Sequence, residues 1–206
     1  MRPSRLPRGD RGFTLAELLV ACAIIAFVMA GLLIMLQTGQ QSYLVGSNQV
    51  EAQQTVRVAI ERMIQEIRSA GYCPTCSGTP PFTAISAQSA TGFTIQHDWD
   101  ADGVPVSTAV TDANGTLRGE QIIYAISGSS LTRREMGVDA AAVTLATGIT
   151  STTLTYQDSA GVATGTADDI RTVVIAVTTQ PQTQAAATQQ GRVLVTMTDS
   201  VRLRNR

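Results

Sequence analysis

Gly12-Phe13-Thr14-Leu15-Ala16-Glu17-Leu18-Leu19-Val20 opens a run that stays apolar to Leu36, with Thr14 and Glu17 as its exceptions. As a helix, Phe13 to Leu36 spans roughly 36 Å at 1.5 Å per residue, enough for a hydrocarbon core of about 30 Å. Arg2, Arg5, Arg8 and Arg11 precede the run, opposed only by Asp10. A secretory signal has a shorter apolar region of about 7–15 residues that ends in a small-residue cleavage site, whereas this run is longer and passes into a further helical pattern. An ordinary signal anchor accounts for the arginines through the excess of positive charge on the cytoplasmic side, but not for Glu17. A carboxylate in hydrocarbon is penalised unless something compensates it. No basic residue between Phe13 and Gln54 can do so within the chain.

Downstream of Leu36 the sequence turns polar, and no proline occurs until Pro74. Val56, Ile60, Met63, Ile64 and Ile67 recur at helical spacing in a charged background, which predicts that one helix runs to about Ser69. Such a helix would be about 85 Å long, apolar all round in its first half and on one face in its second. Gly31, Gly39 and Gly46 weaken it by roughly 1 kcal/mol each relative to alanine. Arg57, Glu61, Arg62, Glu66 and Arg68 are expected largely on the solvated side, with Arg57–Glu61 and Arg62–Glu66 at i,i+4 spacing. Beyond Gly71 the composition shifts to threonine, serine, glycine and β-branched residues. Alternation in Phe93 to Gln96, Gln121 to Ile126, Thr153 to Tyr156, Arg171 to Thr178 and Arg192 to Met197 predicts strands, the last two joined by a polar loop from Pro181 to Gln190. The expected fold is α+β: a long N-terminal helix, with a membrane half and an amphipathic half, packed on an antiparallel β-sheet head. The segments are a leader at 1–12, a transmembrane helix at 13–36, an amphipathic helix at 37–70 and a head at 71–206.

The chain has 206 residues, 44% of them apolar, and a formal net charge of −1 that becomes more negative if the leader is removed. That composition supports one ordinary domain plus an appendage. Every positive side chain is arginine, and none forms a basic stripe interleaved with aromatics, so no direct nucleic-acid binding is predicted. His97 is the single histidine, with no nucleophile, base and orienting group at readable spacing, and no phosphate-binding glycine loop is present. The chain is not expected to be an enzyme. Asp98-Trp99-Asp100-Ala101-Asp102-Gly103 matches the opening of an EF-hand calcium loop, with acids at the first, third and fifth positions and glycine at the sixth. Its second half does not match, because Ala109 stands where the bidentate glutamate belongs and Pro105 takes the eighth position. A solvated acidic turn is the competing reading. Asp112 is the candidate to complete a calcium site, and calcium is the sole cofactor considered. Asn114-Gly115 signals a hairpin turn.

The string from Gly12 to Val20, behind a basic leader, resembles the class III signal of type IV prepilins. In that family a membrane-embedded aspartyl peptidase cuts after the glycine, the new N-terminal phenylalanine is N-methylated and the glutamate five residues in is kept. The resemblance implies cleavage between Gly12 and Phe13, methylation of Phe13, and pairing of Glu17 with the freed amine of Phe13 on a neighbouring subunit. Opposite charges in low dielectric favour such pairing strongly. Three further strings, Ile67 to Cys73, Glu120 to Arg133 and Val201 to Asn205, are similar to the PilW type of minor pilin, a relative of the J-type pseudopilin of type II secretion. The implied function is a minor pilin that initiates or caps a filament, with a secretion pseudopilin as the alternative inside the family. A membrane-anchored calcium-binding or adhesive protein that never polymerises is the alternative outside it. Implied partners are the prepilin peptidase, other major and minor pilins, the inner membrane and the pilus assembly platform. The implied location is a single pass in the inner membrane with a periplasmic head, then the pilus at the cell surface. In that oxidising compartment Cys73-Pro74-Thr75-Cys76 is expected to be a structural disulfide rather than a catalytic dithiol, and Cys22 a small packing residue.

Overall fold

A computed structural model describes residues 12–180 and 194–206. The leader arginines and the expected loop from Pro181 to Gln190 lie outside them. α1, Leu15–Ser69, is a single helix of 55 residues. It carries no proline, and it ends where Gly71 adopts φ 74°, a left-handed conformation that glycine takes without a Cβ penalty. The Gly71 N–H then donates to the Gln96 carbonyl at 2.8 Å, which ties the helix end to the head.

The chain divides into two compact units, one up to Leu44 and one from Val45. In the first, the described apolar side chains are exposed: Leu15 is 77% exposed and Phe27 85%. By length and composition this part of α1 can cross a membrane.

In the second unit Ala52, Val56, Ala59, Ile60, Met63, Ile64 and Ile67 are buried, the three-to-four spacing of one helical face. Among the described residues ten strands follow: β1 (Ile85–Ser86), β2 (Gly92–Gln96), β3 (Ala109–Thr111), β4 (Leu117–Gly119), β5 (Gln121–Ser127), β6 (Ser130–Glu135), β7 (Val143–Ala146), β8 (Ile149–Gln157), β9 (Thr172–Thr179) and β10 (Val195–Arg202). All pairings are antiparallel, in sheets ordered β1-β2-β5-β6-β7, β10-β9-β8 and β3-β4. The α+β fold of a long helix and antiparallel sheets is therefore present, with the head divided among several sheets. The two larger ones share a core with α1, in which Phe93 of β2 stacks on Tyr124 of β5 at 5.4 Å and meets Tyr156 of β8 edge-on at 6.4 Å. The Tyr156 hydroxyl donates to the carbonyls of Ser89 and Gly92, so a polar link accompanies the apolar one.

β5 and β9 lie within a residue of their expected ranges. β10 reaches Arg202 rather than stopping at Met197, because its register with β9 continues to Arg202 opposite Thr172. β6 escaped the periodicity reading: its exposed face carries charged and polar residues, and it is a strand because β5 and β7 flank it. The Asn114-Gly115 signal falls in the β3–β4 hairpin, where Gly115 has φ 80°.

Candidate functional site

Phe13 stands 89% exposed just before α1 begins. Thr14 caps the helix: its backbone N–H donates to Glu17 Oε2 at 2.9 Å, its hydroxyl to the same oxygen at 3.0 Å, and the Glu17 N–H returns to Thr14 Oγ1 at 3.3 Å. This is a reciprocal capping box, in which two orphan N–H groups of the first turn are satisfied by side chains. Both Thr14 contacts fall on Oε2, so Oε1 stays open for a further donor. The Thr-x-x-Glu spacing at Thr14 and Glu17 is the sequence signal of this cap, which the sequence expectations above do not include.

In the head, Cys73 and Cys76 form a disulfide directly after the helix end, with Cα atoms 5.5 Å apart. Cys22 is a free thiol and exposed. Asp98 is fully buried beside the disulfide, its Oδ2 lying 3.1 Å from Cys73 Sγ. A disulfide sulfur has no proton to donate, so this is a contact rather than a hydrogen bond. The donors to Asp98 are backbone groups: Ala101 and Asp102 N–H reach Oδ1 at 2.8 and 3.1 Å, and Gly103 N–H reaches Oδ2 at 3.1 Å. The turn this creates brings carboxylate oxygens of Asp98, Asp100 and Asp102 within 4.8 Å of one another. Hard oxygen donors of this kind suit calcium, which takes six to eight of them, so three carboxylates supply part of a site.

Asp112 does not join them, contrary to expectation. Its Oδ1 accepts the N–H groups of Asn114 and Thr116, each at 2.9 Å, and its Oδ2 pairs with Arg118 Nε at 2.7 Å. The Thr116 N–H, acting against burial and joined by Asn114 and Arg118, holds its carboxyl below the usual value. Asp112 is thus consumed in shaping the β3–β4 hairpin.

Glu66 also departs from expectation. It keeps the expected pair with Arg62 Nε at 3.3 Å, but it is largely covered and turns toward the sheet, where it accepts the Tyr124 hydroxyl at 2.6 Å and Arg133 Nε at 2.9 Å. Arg133 is 8% exposed at its side chain and further bonds Glu135 at 2.8 Å and Asp139 at 3.1 Å. Burial works against its charge, yet the hydrogen bonds to Glu66 and Glu135 outweigh that and hold the guanidinium protonated. Burial, then the Glu66 charge, pushes the Tyr124 hydroxyl well above its ordinary range. Only the packed sheet shows this network, since its members come from α1, β5, β6 and the turn after β6.

His97 has Nε2 3.0 Å from Ser69 Oγ, a serine–histidine contact that resembles half of a catalytic triad. The chemistry does not follow. Ser69 Oγ donates its proton to the Glu66 carbonyl at 2.8 Å, so Nε2 must be the donor to Oγ, and Nδ1 is left as a buried lone pair without a partner. Among the described residues no carboxylate is hydrogen-bonded to the ring. Desolvation, only partly opposed by Glu135, lowers its pKa to about 4. His97 is a buried neutral ring stacked on Trp99 at 5.1 Å.

Residues 7–33 match the prokaryotic N-terminal methylation motif, which places Gly12, Phe13 and Glu17 inside the matched segment. Among curated proteins none matches the chain. Among solved structures, a type IV-like pilin from Thermus thermophilus has 13% identity and a TM-score of 0.47, over 74% of this chain and 96% of that one.

Proposed function

We propose that this chain is a type IV pilin-like subunit, released from its leader between Gly12 and Phe13, methylated at Phe13 and inserted into a filament through α1. The reading rests chiefly on one observation: an N-terminal methylation motif sits at the head of α1, whose exposed apolar segment to Leu36 holds a single acid, Glu17, with one carboxylate oxygen open. In hydrocarbon that oxygen is stabilised by an ammonium from outside the chain, and the freed amine of Phe13 on a neighbouring subunit supplies it. The partners on this reading are the prepilin peptidase, the assembly platform and other major and minor pilins. The precursor spans the inner membrane once with its head in the periplasm, and the assembled subunit lies in the pilus. No catalytic role is assigned. Mass spectrometry of the protein isolated from its native membrane tests the proposal: a start at N-methylated Phe13 supports it, while an intact Met1 or cleavage elsewhere rejects it.

Within this class we favour a minor pilin of the PilW type that initiates or caps the filament, over a J-type pseudopilin of type II secretion. The strings at Ile67 to Cys73, Glu120 to Arg133 and Val201 to Asn205 support that choice, and the last of them serves the fold directly. Asn205 Nδ2 donates to the carbonyls of Ser69 and Ala70 at 3.1 and 3.2 Å, capping the end of α1. Co-purification with pilus minor subunits rather than secretion components separates the two.

The convergence of Asp98, Asp100 and Asp102 favours a second property, calcium binding at this turn with water and backbone carbonyls completing the shell. Calorimetric titration of the purified chain decides it, and no heat at millimolar calcium removes the site.

A further inference from the structure

Tyr72 follows the end of α1 with 39% of its surface exposed, although the chain around it is tightly held. Its N–H donates to the Ser69 carbonyl at 3.1 Å, and its carbonyl accepts the Asp98 N–H at 2.8 Å. Its ring meets that of Trp99 at 4.9 Å, and the next residue, Cys73, is fixed by the disulfide to Cys76. An exposed aromatic ring whose position is set before any ligand arrives loses little freedom on binding.

Tyr72 lines two clefts. The larger, of about 780 Å³, lies at the junction of α1 and the end of β10, where Gln65, Arg68, Arg202 and Arg204 also line it. The smaller, of about 450 Å³, shares Tyr72 and Arg204 and reaches Gly78 and Arg206. The Arg204 N–H donates to the Arg68 carbonyl at 3.4 Å, which holds the chain after β10 against the helix end. Arg202 and Arg204 flank the buried Leu203, so both stay on the exposed side with Arg68. These three arginines make no side-chain hydrogen bond or ion pair among the described residues, unlike Arg57, Arg62, Arg118 and Arg133, which pair with carboxylates. Each guanidinium presents paired N–H donors that match a carboxylate. A fixed aromatic ring among open guanidiniums suits a ligand that has both an apolar face and carboxylates.

The acidic turn adjoins this surface through the contact of Tyr72 with Trp99, and Asp100 and Asp102 are exposed on it. It narrows what the clefts can take. A nucleic acid is charged at every phosphate along its backbone and is repelled where it passes those carboxylates. A polyuronate carries one carboxylate per sugar, with hydroxyls between, which a neighbouring carboxylate does not repel. The C–H face of each pyranose ring is apolar and lies flat on an aromatic ring. We propose that the two clefts around Tyr72 bind an acidic polysaccharide of the polyuronate class, with Tyr72 stacked on a sugar ring and Arg68, Arg202 and Arg204 holding its carboxylates. This goes beyond the proposed function, which concerns the N-terminal segment and calcium, and it uses none of the carboxylates assigned to calcium.

Calorimetric titration of the full chain in detergent with a hexamer of galacturonate tests it, in the presence of a chelator so that calcium neither bridges the sugar nor fills the acidic turn. Saturable binding is expected, with affinity at least about tenfold above that for a neutral galactose hexamer. Tyr72→Ala should weaken it roughly five- to tenfold, and Arg68→Gln, Arg202→Gln and Arg204→Gln together by at least about tenfold. Salt at about 0.5 M should weaken binding to the unmodified chain, a readout that requires no variant to fold. No heat with the galacturonate hexamer, equal affinity for the neutral one, or tighter binding of a single-stranded DNA hexamer would overturn the inference. So would an affinity indifferent to both the Tyr72 and the arginine substitutions.

Discussion

Glu17 Oε2 accepts both the backbone N–H and the hydroxyl of Thr14, at 2.9 and 3.0 Å, so the first turn of α1 is closed by the same acid that the proposed function assigns to a neighbouring subunit. The roles are compatible because the carboxylate has two oxygens and the cap occupies one. They can also be separated by substitution. Glutamine at position 17 keeps an acceptor for Thr14 but has no charge, whereas alanine removes both. Glu17→Ala and Glu17→Gln should each be cleaved after Gly12 and each enter filaments poorly, as measured by immunoblot of sheared pili. Incorporation of Glu17→Gln at the unmodified level would assign Glu17 to capping alone.

The Glu66–Arg133–Tyr124 network joins α1 to the first sheet, and its members are buried enough that loss of one strands the others. Tyr124→Phe should cost about 1.5–3 kcal/mol, the range for a hydrogen bond to a charged group, since Glu66 keeps Arg133 as a donor. Arg133→Met should cost more, roughly 3–5 kcal/mol, since Glu135 and Asp139 then lose this cation and Glu66 keeps only the half-exposed Arg62. Trp99, the single tryptophan, reports unfolding in denaturant without a label. A cost for Arg133→Met no larger than that for Tyr124→Phe would mean that the ion pairs add nothing beyond the hydrogen bond.

His97 makes the head sensitive to acid. Its pKa is about 4 in the fold, against about 6.5 in an unfolded chain, so between those values the unfolded chain binds the extra proton and stability rises with pH. The contribution is complete above about pH 6.5 and is lost as the pH falls towards 4, an effect on the order of 3 kcal/mol at 1.36 kcal/mol per unit. Denaturation at pH 7.5 and 4.5 should show a steeper loss for the unmodified chain than for His97→Gln. Parallel losses would place the acid sensitivity in the carboxylates instead.

Cys73 and Cys76 close a loop only three residues apart in sequence, so chain entropy predicts a modest stabilisation of about 2 kcal/mol. Replacing both by serine should lower the denaturation midpoint by a corresponding amount and leave cleavage at Gly12 unchanged. An effect on cleavage would tie the head to processing, which the geometry does not suggest.

How much was legible in advance depended on whether the determinant was local. The membrane-length run, the motif at Gly12 to Glu17, the buried stripe from Val56 to Ile67 and strands such as β5 and β9 all follow from period and composition, because each is written in consecutive residues. β6 was missed, since the pairing that makes Ser130–Glu135 a strand comes from β5 and β7. The surroundings of Asp112 are hidden for a related reason: an acid after a strand looks available in sequence, while in the fold its own hairpin engages both of its oxygens.

The sequence by itself determined that this chain has an apolar helix with one acid near its start and a β-rich head behind it, since hydrophobic patterning and motif spacing need no long-range contact to be read. The tertiary structure alone decided which charges are satisfied. Glu66 finds Arg133 from 67 residues away, Asn205 returns to cap a helix that ended at Ser69, and Arg68 meets Arg202 and Arg204 in one cleft. Charges act through space, and chain order does not record the distances that folding sets between them.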